Sequence, residues 1–125
     1  MTVRFLMLAA AVLSASVMRG RAADLVELRV HGHYFSEPAT VRLLIAVEPD
    51  QANRLLRIEA DGDRLFRSSQ VHLEGSSEKR LHTVEFKNLP AGSYELRAEL
   101  LAADDVVRAI DTQDLTVFGL GTPER

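Results

Sequence analysis

Turn-forming residues interrupt the sequence at nearly even intervals after residue 24, and this spacing constrains the fold more than any other feature. The interruptions are rich in Pro, Gly, Asp and Ser and lie at residues 36–38, 48–50, 61–63, 74–77, 90–92 and 104–105. The seven segments between them cover residues 24–35, 39–48, 53–60, 64–73, 80–89, 92–102 and 105–118. Short segments separated by turn signals every eight to twelve residues or so are typical of an all-β sandwich or barrel.

Apolar and polar side chains alternate within most of these segments. In the first segment Val26, Leu28 and Val30 share one face, and in the sixth segment Tyr94 and Leu96 begin a similar apolar face. Successive side chains of a strand point to opposite faces, so the pattern buries one face and exposes the other. We therefore predict a seven-stranded antiparallel β-sandwich.

The region 94–110 also permits a helix. Its apolar residues are spaced four, three, four and three positions apart, as on one side of a helix, and they are Leu96, Leu100, Ala103, Val107 and Ile110. A helix would expose Leu101 and would continue through the Asp104-Asp105 turn signal. We therefore favour two strands over one helix.

Residues 1–22 have the order of a cleavable signal peptide. Arg4 precedes an apolar run over residues 5–18, which is shorter than the ~20 residues that cross a bilayer. Gly20-Arg21-Ala22 predicts cleavage after Ala22, with cleavage after Ala23 or an uncleaved helix packed on the domain as alternatives. We expect a periplasmic or secreted protein, with the β-sandwich at 23–118 and a flexible tail at 119–125.

Composition restricts the function classes. Cleavage removes three arginines and leaves 12 basic against 18 acidic residues, a net charge of −6. A surface of this sign repels phosphate backbones and anionic lipids, so we expect no nucleic-acid binding and no membrane insertion after cleavage. Because the chain has no cysteine, disulfides, thiolate metal sites and cysteine nucleophiles are excluded.

The stretch from Phe86 to Tyr94, "FKNLPAGSY", carries the most specific pattern. Pro90 suits a connection between strands and Gly92 a tight reversal, while Tyr94 can return its hydroxyl to an upstream backbone group. With Leu89, these residues resemble the tyrosine corner of bacterial Ig-like and fibronectin type III-like domains. The resemblance implies an Ig-like β-sandwich whose corner residues stabilise the fold, and families of this kind mostly bind or brace. Transthyretin-like sandwiches have a similar corner, so the strand topology stays open.

Two histidines form the most suggestive candidate metal site. His31 and His33 would project to the same side of an extended strand, where both imidazoles could meet one Cu(II) or Zn(II) ion. His72 and His82 are candidates for further ligands. Alternation also places His31 on a solvent-exposed face, which requires no metal to explain it.

Other catalytic and binding patterns are weak. The serines lie outside any nucleophile motif, and Asp61-Gly62-Asp63 reads as a hairpin turn, since it supplies too few ligands for calcium. We therefore expect a non-catalytic module without a cofactor that binds an envelope or extracellular protein or gives structural support. The alternatives are a small exported copper-type protein using His31 and His33, a carbohydrate-binding module using Tyr34 and Phe35, and finally an enzyme.

Overall fold

The computed structural model describes residues 25–32 and 34–119, and these residues form two β-sheets without any α-helix. The strands are β1 (Val26–His31), β2 (Phe35–Ser36), β3 (Ala39–Val47), β4 (Leu55–Gly62), β5 (Phe66–His72), β6 (Leu81–Leu89), β7 (Gly92–Leu101) and β8 (Val107–Phe118). The prediction of an all-β fold is confirmed for these residues. The predicted signal peptide and all of the predicted tail except residue 119 lie outside the described residues.

The strands divide between a three-stranded and a five-stranded sheet. Strand order is β1-β3-β6 in the first sheet and β2-β8-β7-β4-β5 in the second. The inward faces of the two sheets supply one apolar core. Its completely buried members include Leu28, Leu43, Ile45, Leu56, Ile58, Leu96 and Leu100.

The predicted number of strands was wrong, because the first segment forms two strands and not one. The described residues contain eight strands, since the chain leaves the three-stranded sheet after β1 and enters the five-stranded sheet at β2. Gly32 lies at this crossing and has a φ of 109°. Residues with a side chain rarely adopt such a φ. The prediction of purely antiparallel pairing was also wrong, because β2 pairs with β8 in parallel.

The helical alternative for residues 94–110 was wrong, as β7 and β8 form a long antiparallel pair. Asp104 and Asp105 lie in the connection and have φ values of 59° and 58°. Aspartate tolerates this left-handed region better than most residues. The Asp-Asp pair therefore reverses the chain where the apolar spacing alone would permit a helix to continue.

The connection from β6 to β7 carries the chain from one sheet to the other. Asn88, at the end of β6, has φ of 59°, and its short amide side chain tolerates this conformation. Leu89 is fully buried, and the Tyr94 hydroxyl donates a hydrogen bond of 2.6 Å to the Pro90 carbonyl oxygen. The Ala91 N–H donates to the Glu37 carboxylate at 3.1 Å, which ties the same connection to the start of β3.

Gly62 makes room for the Tyr94 ring on the neighbouring strand. The two residues are partners in the β4–β7 register. A Cβ atom on Gly62 would lie 2.6 Å from two atoms of the ring and 3.2 Å from the Leu65 carbonyl oxygen. The Asp61-Gly62-Asp63 sequence does form the predicted hairpin, in which the Gly62 N–H donates to Leu65 at 2.9 Å. Close packing against the Tyr94 ring therefore requires a glycine at this position.

We predict that Gly62→Ala lowers the free energy of unfolding by about 1–3 kcal/mol, because the added methyl group collides with a buried ring. Urea denaturation measures this loss. In a Tyr94→Leu background the same substitution is expected to cost less, since the smaller side chain leaves space. Equal costs in the two backgrounds would contradict the contact.

Candidate interaction surface

The outward side of the five-stranded sheet presents a broad surface formed by four strands. Alternate residues of β5, β4, β7 and β8 face away from the core here, and the register aligns them in four rows. From one end to the other, the rows are Phe66-Asp61-Glu95-Asp114, Ser68-Glu59-Arg97-Thr112, Gln70-Arg57-Glu99-Ile110 and His72-Leu55-Leu101-Val107. We call these sixteen residues the outer face.

A partly buried charge cluster lies near the middle of the outer face. Glu99 is only 8% exposed, and one of its carboxylate oxygens accepts a hydrogen bond of 3.1 Å from Arg57. The other oxygen lies 3.3 Å from the Nε atom of Arg97, a contact close enough for an ion pair but not aligned as a hydrogen bond. Two guanidinium groups therefore compensate one carboxylate that has lost most of its water.

One end of the outer face is apolar. Leu101 lies between Leu55 and Val107 in the register and is 1% exposed, although it points away from the main core. Val107 and Ile110 remain 46% and 40% exposed. Exposed aliphatic side chains such as these are typical of the apolar centre of a protein interface.

The opposite end of the outer face is acidic. Asp61, Glu95 and Asp114 occupy directly opposed positions on three neighbouring strands, and all three are exposed. None of them has an ion-pair partner within residues 25–32 and 34–119. Like charges directly opposite one another destabilise a sheet. A basic partner at this end of the outer face would relieve the repulsion between the three carboxylates.

The outward side of the three-stranded sheet differs because its carboxylates are paired. Arg42 donates to Glu85 at 2.8 Å, and this hydrogen bond holds the pKa of the Glu85 carboxyl below its usual range. Arg29 and Glu27 lie 3.1 Å apart. An apolar strip that includes the exposed Leu81 lies alongside, but no uncompensated acidic row accompanies it in the described part of this sheet.

Three of the four histidines that the sequence grouped as candidate ligands are described, and they lie on three different strands. His31 ends β1 and lies next to Arg42 in the register, where the guanidinium charge disfavours a metal cation. His72 lies on the outer face of the other sheet, and His82 is 3% exposed among core residues, with its Nε2 atom lacking a partner in the described residues. His33 lies outside the described residues.

Neither a metal cluster nor a membrane-spanning helix occurs in the part of the chain that the structure describes. No three His, Asp or Glu side chains there come close enough together to hold a metal ion. No helix there is long and apolar enough to cross a bilayer. Comparison with known proteins gives no family model and no curated protein that matches the chain.

Sequence reasoning missed the charge cluster because it depends on strand register. The partner of Arg57 is Glu99 on β7, which lies 42 residues further along the chain. Alternation placed Arg97 and Glu99 on the exposed side of β7. It could not show that β4 lies beside β7, nor that this exposed side is sheltered at Glu99.

A double-mutant cycle tests the cluster. We expect Arg57→Ala and Glu99→Ala to be coupled by about 1–2 kcal/mol in unfolding free energy, because the pair is largely desolvated. The Arg42–Glu85 pair is a matched control on the other sheet and should show weaker coupling, since water screens it. Coupling that is equal in the two pairs would contradict the sheltered environment of Glu99.

Proposed function

We propose that this chain is an exported, non-catalytic Ig-like module that binds a protein partner in the cell envelope through the outer face. The observation that carries the proposal is the composition of that face: an apolar end, a desolvated ion-pair cluster and an uncompensated acidic row. The non-catalytic assignment rests on the sequence, in which we find no recognisable nucleophile, phosphate-binding or dinucleotide motif.

The strand order supports the Ig-like part of the proposal. The chain has one sheet of order β1-β3-β6 and a second sheet that contains the order β8-β7-β4. The strands common to immunoglobulin-type sandwiches have the same order in their two sheets. β5 pairs with β4, whereas in the constant-type arrangement the fourth strand joins the opposite sheet. This departure distinguishes the chain from the constant-type arrangement. The hydrogen bond from Tyr94 to Pro90 matches the corner of these domains.

The chemistry of the outer face defines the kind of partner. Asp61, Glu95 and Asp114 favour basic side chains, whereas Val107 and Ile110 favour an apolar patch. A partner surface that carries both features at matching positions would bury the aliphatic side chains and neutralise the carboxylates. Such charge complementarity acts mainly on specificity and on the association rate.

Export brings the module to its partner in this proposal. The order of charge, apolar residues and small residues within positions 1–22 is the basis for it. A net charge of −6 after cleavage also suits a partner with a basic surface.

Site-specific photo-crosslinking tests the partner proposal. A photoreactive amino acid at position 110 should capture one predominant envelope protein in cells, because Ile110 is exposed at the apolar end of the outer face. The matched control places the same amino acid at Thr83, which is exposed on the three-stranded sheet. We expect no capture from that position.

Charge reversal supplies the second readout. Glu95→Lys with Asp114→Lys should weaken binding to the captured protein by at least about tenfold, and added salt should weaken binding to the unsubstituted chain. Equal capture from positions 110 and 83, or binding insensitive to both substitutions, would contradict the proposal.

A further inference from the structure

The free edge of β5 is the feature from which we draw a further inference. The Gly62 N–H donates to Leu65, and the Leu73 N–H donates to Arg54, each at 2.9 Å. Odd-numbered residues of β5 therefore direct their backbone groups toward β4, because hydrogen-bonded pairs alternate along an antiparallel ladder. The backbone N–H and C=O groups of the even-numbered residues point away from the sheet, and these residues are Phe66, Ser68, Gln70 and His72.

Other strand edges are at least partly closed. On β1, the Leu28 N–H donates to Asp111 at 2.8 Å, and Gln113 donates to the Leu28 carbonyl oxygen at 3.3 Å. The outer edge of β8 pairs with β2. On β6, the carbonyl oxygen of Lys87 accepts a hydrogen bond from Arg67. Within the described residues, by contrast, the outward backbone groups of β5 have no protein partner.

β5 also lacks the features that usually protect a sheet edge. The strand contains no proline, and its register with β4 runs without a bulge from His72 to Phe66. Its one formally charged side chain, Arg67, is engaged with β6. Natural edges more often carry an outward lysine, a proline or a bulge that prevents pairing with another chain.

We propose that two copies of this chain associate through antiparallel pairing of their β5 strands, with a two-fold axis at Ser69. The two five-stranded sheets would then join into one continuous sheet of ten strands. The inference is independent of the proposed partner protein, because it uses the strand edge and the partner proposal uses the outer face.

The β5 sequence is self-complementary in this register. Phe66 lies opposite His72 of the second copy, and Ser68 lies opposite Gln70 of the second copy. The outward backbone N–H and C=O groups of these four residues therefore face those of the other copy. Arg67 faces Val71 of the second copy, which avoids a like-charge pair. A two-fold axis at residue 67 would place Arg67 opposite Arg67 of the second copy. An axis at residue 68 or 70 would pair fewer residues of the strand. The axis at Ser69 therefore pairs all seven residues.

The dimer should be weak. A single pair of seven-residue strands buries less surface than most stable interfaces, which bury more than about 1,000 Å². Association is therefore expected mainly at high protein concentration or under a covalent trap.

Cysteine trapping tests the geometry. The natural chain has no cysteine, so Ser69→Cys introduces a single thiol. At the axis, the two Ser69 residues form a non-hydrogen-bonded pair with Cα atoms about 4.5 Å apart, a distance that suits a disulfide. We expect mild oxidation of Ser69→Cys to give a covalent dimer in most of the protein.

The adjacent Ser68→Cys is the matched control. Ser68 is more exposed than Ser69, so random collisions would cross-link it more readily. In the proposed dimer, however, the two copies of residue 68 are offset by two positions along the strands, which is too far for a disulfide. Cross-linking of Ser68→Cys that equals or exceeds that of Ser69→Cys would overturn the proposal.

Ser68→Pro provides a second test without a thiol. Its N–H points away from β4, so proline removes no hydrogen bond within the chain but blocks pairing with a second copy. Sedimentation equilibrium of the unsubstituted protein should show a dimer at concentrations near 1 mM or below, and Ser68→Pro should remain a folded monomer by circular dichroism. An unsubstituted chain that stays monomeric throughout this range, or a Ser68→Pro chain that still dimerises, would overturn the proposal. Neither result affects crosslinking from position 110.

Discussion

The hydrogen bond between the Tyr94 hydroxyl and the Pro90 carbonyl oxygen constrains the connection on which the two-sheet arrangement depends. This connection takes the chain from β6 in one sheet to β7 in the other, and β7 then pairs with both β4 and β8. The Tyr94 ring is buried over Gly62, so the same side chain links the corner to β4. Fixing one aromatic side chain therefore positions β7 relative to its neighbours.

The position of β7 determines the surfaces on which both proposals rest. Glu99 meets Arg57 only because β7 lies beside β4, and the acidic row forms because Glu95 lies between Asp61 and Asp114. β5 extends this sheet from the far side of β4 and leaves an edge open. Strand pairing of two copies would place two outer faces on one sheet, which would increase the avidity for a partner that presents repeated sites.

Most of the strands could be predicted from local chemistry, because alternation and turn residues act over a few neighbouring positions. Gly62, Pro90 and the Asp104-Asp105 turn each mark a reversal that the structure contains. The split of the first segment was missed although Gly32 lies at the crossing, because an isolated glycine inside a strand pattern also fits a bulge within one continuous strand. The charge cluster and the open edge of β5 could not be predicted, because both depend on which strands become neighbours. The predicted His31–His33 metal pair stays a prediction, as His33 lies outside the described residues.

The ionisation of Tyr94 tests the corner most directly. Burial raises the pKa of the Tyr94 hydroxyl above the ordinary value of 10.0, an effect that Glu37 reinforces and Arg67 opposes. The chain has two tyrosines and no tryptophan, so in Tyr34→Phe the near-ultraviolet absorbance titration reports Tyr94 alone. We predict a midpoint above 10.0. The stability that the protonated Tyr94 hydroxyl contributes should not change with pH below the ordinary tyrosine pKa, and it should be lost as the pH rises through the raised pKa. A midpoint at or below 10.0 in the folded protein would contradict the buried, hydrogen-bonded corner.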